Sequence, residues 1–159
     1  MLKRIKAAKV RTVGGRFAIV ASEYNPRYVE AMVRAAKAEL QQAGAAEIQV
    51  VRVPGAFEIP VAAARLARKD TSPFDAVICL GVILRGATTH AQHIGEVVTQ
   101  QLAAIAVECE VPMIHEVLLL ENEEQARERC LDAEHNRGRE AAQTALKMTR
   151  VMGRLAQPF

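Results

Sequence analysis

Short runs rich in Val, Ile, Leu and Ala, at residues 16–22, 47–53, 74–80 and within 111–120, are each followed by a stretch whose apolar residues recur at helical spacing. This alternation constrains the fold more than any other feature of the chain. Strands separated by helices pair in parallel, through right-handed crossovers that put helices on both faces of one sheet. The predicted architecture is a three-layer α/β/α sandwich around a four-stranded parallel sheet. At 159 residues the chain supports one domain with a substantial core, and not two of ordinary size. Only 4% of the residues are aromatic and there is no Trp, so small aliphatic side chains do the packing. That favours closely stacked layers and further burial through oligomerisation.

Residues 1–14 are basic, run into a Gly14-Gly15 pair, and read as an N-terminal arm ahead of a domain over 15–159. The first strand stops at Glu23-Tyr24-Asn25-Pro26, where Asn25 is a candidate helix cap and Pro26 fits the first turn. Val29, Met32, Val33, Ala36 and Leu40 then share one helical face, which ends near Gly44. Pro54-Gly55 cuts off the second strand, and the segment Ala56-Phe57-Glu58-Ile59-Pro60 leads into a helix with Ile59, Ala63 and Leu66 turned inward. The fourth strand is interrupted by His115 and Glu116. An acidic-to-basic helix from Glu121 to about Arg129 suits the helix dipole. Asn136 is positioned to cap a last helix with a stripe of Ala141, Ala145, Met148, Met152 and Leu155.

Residues 75–90 carry the chemistry. The strand gives way to a loop over 81–90 and then a helix, with Thr89-x-x-Gln92 as a capping box and Ile94, Val98, Leu102 and Ile105 as the buried stripe. Gly86 lets the backbone approach a ligand, and Ala87, Thr88 and Thr89 offer N–H groups at the helix start, where anions bind. His90 stands beside them, a side chain suited to proton transfer near neutral pH. Taken alone, such a segment is more often a turn, a cap and a structural histidine than a catalytic site. Its setting changes that balance, because the unusual segments 23–25, 54–58, 81–90 and 115–116 all follow strands, and ligands of parallel sheets bind beyond the strands' carboxyl ends. Tyr24 and Phe57 offer flat apolar surfaces and Glu58 an acceptor, a set that suits a flat heterocycle together with a phosphorylated co-substrate.

The net charge of +3 is small and its basic residues are scattered among acids, which argues against a nucleic-acid partner. No apolar core of a secretory signal follows the basic N-terminus, and no run is long and apolar enough to span a membrane. Cys79, Cys109 and Cys130 form no paired spacing, an odd count that fits a reducing compartment. A cytoplasmic protein is expected.

Several motifs together resemble the 6,7-dimethyl-8-ribityllumazine synthase family of riboflavin biosynthesis. They are Tyr24-Asn25, Val53-Pro-Gly-Ala-Phe-Glu-Ile-Pro60, Leu80-Gly-Val-Ile-Leu-Arg-Gly-Ala-Thr-Thr-His90, Pro112-Met-Ile-His-Glu-Val-Leu118 and Glu121-Asn-x-x-Gln-Ala-x-x-Arg129. The resemblance runs from about Arg16 to the end of the chain, and the second and third motifs are its most specific part. It implies a flavodoxin-like sheet and a transferase that condenses 5-amino-6-(D-ribitylamino)uracil with 3,4-dihydroxy-2-butanone 4-phosphate, releasing phosphate and water without metal or organic cofactor. By the same resemblance Tyr24 stacks on the pyrimidine, and Ala56, Phe57 and Glu58 line the ribityl chain. Val82, Ile83 and Leu84 lie along the ring, with His115 as an aromatic-like neighbour. Gly86, Ala87 and Thr88 take the phosphate and His90 is the acid/base. Arg129 reaches that phosphate from a neighbouring subunit, so the resemblance implies a homo-oligomer built from pentamers, in some members an icosahedral capsid, with riboflavin synthase as a further partner.

The chain departs from the family pattern at Tyr24, where Phe is usual, at His115, where another aromatic is usual, and at Ala91-Gln92-His93 beside the base. Ala133 stands where a basic residue is frequent, and Arg137 is a candidate to supply that charge. Two other readings compete: a flavodoxin-like domain that binds a flavin or lumazine without turnover, and a shell-forming homologue that has lost catalysis. His90 and His93 stand one turn apart, but no third ligand of suitable spacing supports a metal site.

Overall fold

The computed structural model describes residues 14–158, and the arm expected over residues 1–14 lies outside the described residues except for Gly14. The chain runs β1 (Arg16–Ser22), α1 (Pro26–Gln42), β2 (Glu47–Val53), a 3-10 turn (Ala56–Glu58), α2 (Ile59–Ala67), β3 (Ala76–Leu84), α3 (His90–Cys109), β4 (Met113–Leu120), α4 (Glu123–Cys130) and α5 (Arg137–Leu155). The strands are parallel and ordered β2-β1-β3-β4. This is the three-layer α/β/α, flavodoxin-like arrangement the sequence predicts.

Because both faces of the sheet are covered, its central strands read as continuous apolar runs. Alternation sends Phe17, Ile19 and Ala21 of β1 to one core, with Met32, Val33 and Leu40 of α1 and Ala142 and Leu146 of α5. Ala18 and Val20 go to the other, with Ile59 and Ala63 of α2 and Val98 and Leu102 of α3. The inward face expected of α1 is buried throughout. In α5 the expected stripe holds at Ala141 and Ala145 but fades toward the end, where Leu155 is exposed. Helix α5 begins as expected at Asn136, whose side-chain oxygen accepts from the Gly138 and Arg139 amides at 2.9 and 3.3 Å. Likewise the Asn122 side chain accepts from the Gln125 amide at 2.9 Å to start α4.

Three expectations need correction. The third strand does not end at Leu80 but continues to Leu84, because β4 runs on beside it and pairs Gly81 with Val117 through Leu84 with Leu120. Gly81 is no strand breaker: a side chain there would crowd Ser22, Val117 and Ile59, so the glycine permits close packing. For the same reason His115 and Glu116 do not follow a strand; they lie within β4, opposite Cys79 and Leu80. The capping box at Thr89 and Gln92 does not form. Thr89 makes no side-chain cap, and the Gln92 amide donates instead to Glu96 at 2.8 Å.

Within the layer that holds both helices, α5 starts in close contact with α1. A methyl group at Gly138 would overlap the Met32 backbone carbonyl, so only glycine fits. We expect Gly138→Ala to lower unfolding stability by on the order of 3 kcal/mol, read as an earlier denaturant midpoint, whereas Gly153→Ala, in open space on the same helix, should leave the midpoint unchanged or raise it.

Candidate active site

In a sheet ordered this way the chain leaves β1 in opposite directions for β2 and β3, opening a crevice beyond the carboxyl ends of those strands. A cavity of about 670 Å³ occupies that place. Tyr24 and Asn25 contribute from the end of β1, Gly55 to Glu58 from the segment after β2, Val82 and Ile83 from the extended end of β3, and His90, His93, Ile94 and Val97 from α3.

Each wall has a local cause. Glu23 donates its amide to the Val53 carbonyl at 2.9 Å, joining the two strand ends from which the aromatic residues depart. Tyr24 and Phe57 are 70% and 61% exposed, so neither ring is committed to the core and both offer a face to a ligand. The Gly55 amide donates to Glu58 Oε2 at 2.9 Å, which fixes the carboxylate at the start of the 3-10 turn. A side chain at Gly55 would press on both that carboxylate and the Tyr24 ring, so the bare backbone lets the ring lie close.

Asn25 occupies the N-cap position of α1 as the sequence suggests, but its side chain does not cap the helix. It adopts a left-handed conformation with φ of 55°, tolerable for Asn. Its side-chain nitrogen donates to the Val82 carbonyl at 2.7 Å. That bond ties the start of α1 to the extended end of β3, and so joins two walls of the cavity.

Beyond Leu84 the chain is exposed from Arg85 to His90. Arg85 is anchored by its amide to the Leu120 carbonyl at 2.8 Å and by its guanidinium to Glu121 at 2.7 Å. Nothing would obstruct a side chain at Gly86, so this glycine leaves the loop open rather than packed. At the start of α3 the first N–H groups lack intrahelical partners, and the dipole favours negative charge there. The His90 amide makes a long 3.4 Å contact with Thr88 Oγ1. The imidazole of His90 opens onto the cavity wall directly after this loop. The arrangement therefore sets a flat apolar floor, two free aromatic faces, an oriented carboxylate and an imidazole beside a segment suited to an anion.

Of the candidate residues, Tyr24, Ala56, Phe57, Glu58, Val82, Ile83 and His90 come together around the cavity. Leu84, Gly86, Ala87 and Thr88 continue the same segment without lining it. His115 and Arg129 are not brought to the cavity of their own chain. His115 Nε2 instead meets Thr99 Oγ1 at 2.7 Å, Nδ1 accepts from the Val117 amide at 3.1 Å, and burial lowers its pKa, so it stays neutral more readily than a free imidazole. Sequence reasoning placed Asn25 and Gly55 in segments converging on this edge without giving them a role, and did not assign His93, Ile94 and Val97 to the site. For α3 the signal was available: residues 90, 93, 94 and 97 recur at i, i+3, i+4 and i+7, which is one helix face.

The family model for 6,7-dimethyl-8-ribityllumazine synthase matches residues 14–153. A protein of that name from Aquifex aeolicus is 42% identical over 147 residues, covering 91% of this chain and 94% of the relative. Another from Xanthomonas euvesicatoria pv. vesicatoria is 37% identical over 145 residues, covering 90% and 93%. The match spans nearly every described element, from the strand that opens the sheet to the helix that closes it, and the chain belongs to the 6,7-dimethyl-8-ribityllumazine synthase family.

Proposed function

We propose that this cavity condenses 5-amino-6-(D-ribitylamino)uracil with 3,4-dihydroxy-2-butanone 4-phosphate to give 6,7-dimethyl-8-ribityllumazine, phosphate and water, the chain acting as a transferase of riboflavin biosynthesis. The observation that carries the reading is the meeting of Tyr24, Phe57, Glu58 and His90 around one crevice at the β1/β3 switch point. The pyrimidine stacks on Tyr24, its ring edge runs along Val82, Ile83 and Leu84, and the ribityl chain passes Ala56, Phe57 and Glu58. Gly86, Ala87 and Thr88 receive the phosphate.

The reaction forms an imine between the uracil's amine and the ketone with loss of water, expels phosphate and closes a ring with loss of a second water. Protons must move at each stage, and one imidazole beside the reacting carbon serves them in turn. Holding two substrates together supplies much of the acceleration, so His90 contributes to the rate without being its only source.

The phosphate needs a stronger counter-charge than a helix start gives. Arg129 supplies it, and because Arg129 lies outside its own chain's cavity, it serves the site of a neighbouring copy. Exposed Val97 and Val107 on α3, and Leu119 on the edge strand β4, support burial against such a copy. The assembly is built from pentamers that can close into an icosahedral capsid, positioned to pass product to riboflavin synthase. Residues 15–159 form its catalytic domain and 1–14 its arm. Among the described residues no helix is long and apolar enough to cross a membrane, and we place the protein in the cytoplasm.

Incubating the pure protein with both substrates tests the reading, since product no faster than the spontaneous background leaves only binding or assembly. His90→Ala should lower kcat by on the order of 10²-fold while the uracil still binds. Arg129→Ala should raise KM for the phosphorylated ketone about tenfold and leave KM for the uracil unchanged; equal effects on both would count against a phosphate role. Mass in solution should be a multiple of five chains.

A further inference from the structure

The first turns of α3 send their polar side chains two ways. The Gln92 side chain donates to Glu96 at 2.8 Å, and the two line a groove against Val117 and Leu119 of β4. His90 and His93 take the other side and, with Ile94 and Val97, line the cavity. His90 has a role in the proposed reaction; His93 has none. Its backbone amide donates to the Thr89 carbonyl at 3.1 Å in the opening of the helix, and among the described residues nothing pairs with its imidazole. A free hydrogen-bonding group therefore stands on the wall of a largely apolar cavity.

Position along the helix sets which part of a ligand it meets. Three residues of helix carry His93 about 4.5 Å past His90, away from the exposed loop and toward Val97. The 3-10 turn Ala56–Glu58 packs on α3, and its Phe57 shares a second groove with Val97 and Val98. The helix thus runs from the loop at His90 toward that turn, with His93 between them.

A ribityl chain lying along the turn brings several hydroxyls against Ala56, Phe57, Ile94 and Val97, where an unpaired hydroxyl is costly. The other polar side chains of the wall are committed. Asn25 donates to the Val82 carbonyl, and Tyr24 gives its face to the pyrimidine. The Glu58 carboxylate holds the Gly55 amide on one oxygen; its other oxygen accepts and cannot donate. Hydroxyls both donate and accept, so the chain also needs a donor from the protein. An imidazole carries at least one N–H in every tautomer and protonation state.

We propose that His93 is a specificity-determining residue for the uracil substrate: its imidazole N–H donates to a hydroxyl of the ribityl chain, while Glu58 accepts from the same polyol at the 3-10 turn. This rests on the reading that the ribityl chain passes Ala56, Phe57 and Glu58. A plain alkyl chain in the same place leaves both protein groups unpaired, so the site selects the polyol by what its absence costs.

The test compares dissociation constants of the assembled protein, measured by calorimetry, for 5-amino-6-(D-ribitylamino)uracil and for the same uracil carrying a pentyl chain. Their ratio cancels changes in stacking and in cavity shape, which bear on both compounds alike. His93→Ala should lower the preference for ribityl over pentyl about tenfold. His93→Phe keeps a ring without the donor and should lower it as far, whereas His93→Gln restores an N–H at similar reach and should recover most of it. The position is exposed on the helix, so these changes leave the core intact. An undiminished preference in His93→Phe means that the ring only fills space, and overturns the proposal. Glu58→Ala separates the inference from the reading beneath it. If Glu58→Ala lowers the preference and neither His93→Ala nor His93→Phe does, the ribityl placement stands and this inference falls. If none of the three lowers it, the ribityl chain lies elsewhere and both fall.

Discussion

The pairing of β3 with β4 beyond Leu80 is the contact on which the rest of the site depends. β1 stops pairing with β3 at the Ala21–Leu80 position, while β4 accompanies β3 as far as Leu84. Four further residues of strand therefore project past the switch point with one flank open toward Tyr24 and the segment after β2. On that open flank the Val82 carbonyl is free to accept from Asn25. The same extension fixes where the exposed loop and the first turn of α3 begin, and so where the imidazole of His90 stands. Gly81 makes the extension possible, since it is the point at which β1, β4 and α2 crowd the strand together.

Core and rim divide the aromatic side chains, with Phe17, Tyr28 and Phe74 buried and Tyr24 and Phe57 exposed. Between α1 and α5 the interior is closed at short range, as at Gly138 against the Met32 backbone. The rings of Tyr24 and Phe57 are kept out of the core and at the cavity mouth. A chain with so few aromatic residues that exposes these two leaves them available for recognition rather than committing them to packing. Charge is treated in the same way. The ion pairs of Arg68 with Glu108 and of Arg127 with Glu123 are solvated surface pairs with little weight, whereas the acid in β4 lies where its ionisation is coupled to two arginines.

Much of the fold was legible in the chain because its signals were local. β1 and β2 have the bounds their composition suggested, and the buried face of α1 is the one its period marks. The misreadings arose where a distant contact overrode a local sign. Gly81 looks like a stop but is held in the sheet by β4. Asn25 looks like a cap but finds its partner in Val82, 57 residues away. Thr89 looks like half of a capping box, yet Gln92 is drawn to Glu96 and Arg85. For the site, residues that come from strand ends were readable as a group because parallel sheets send them all to one edge. Arg129 and His115 lie elsewhere in the single chain, and no spacing in the sequence gives that.

The central claim is that the segment after the extended β3 wraps a phosphate and sets His90 over the reacting carbon. A crystal structure of the assembled protein grown with a non-reacting phosphonate analogue of the butanone tests this most directly. The account predicts the phosphonate against the amides of Gly86, Ala87 and Thr88, with the Arg129 guanidinium of an adjacent copy on its other side and the His90 ring facing the analogue's carbonyl carbon. A phosphonate bound away from this segment, or a His90 ring turned toward the helix interior, would contradict it.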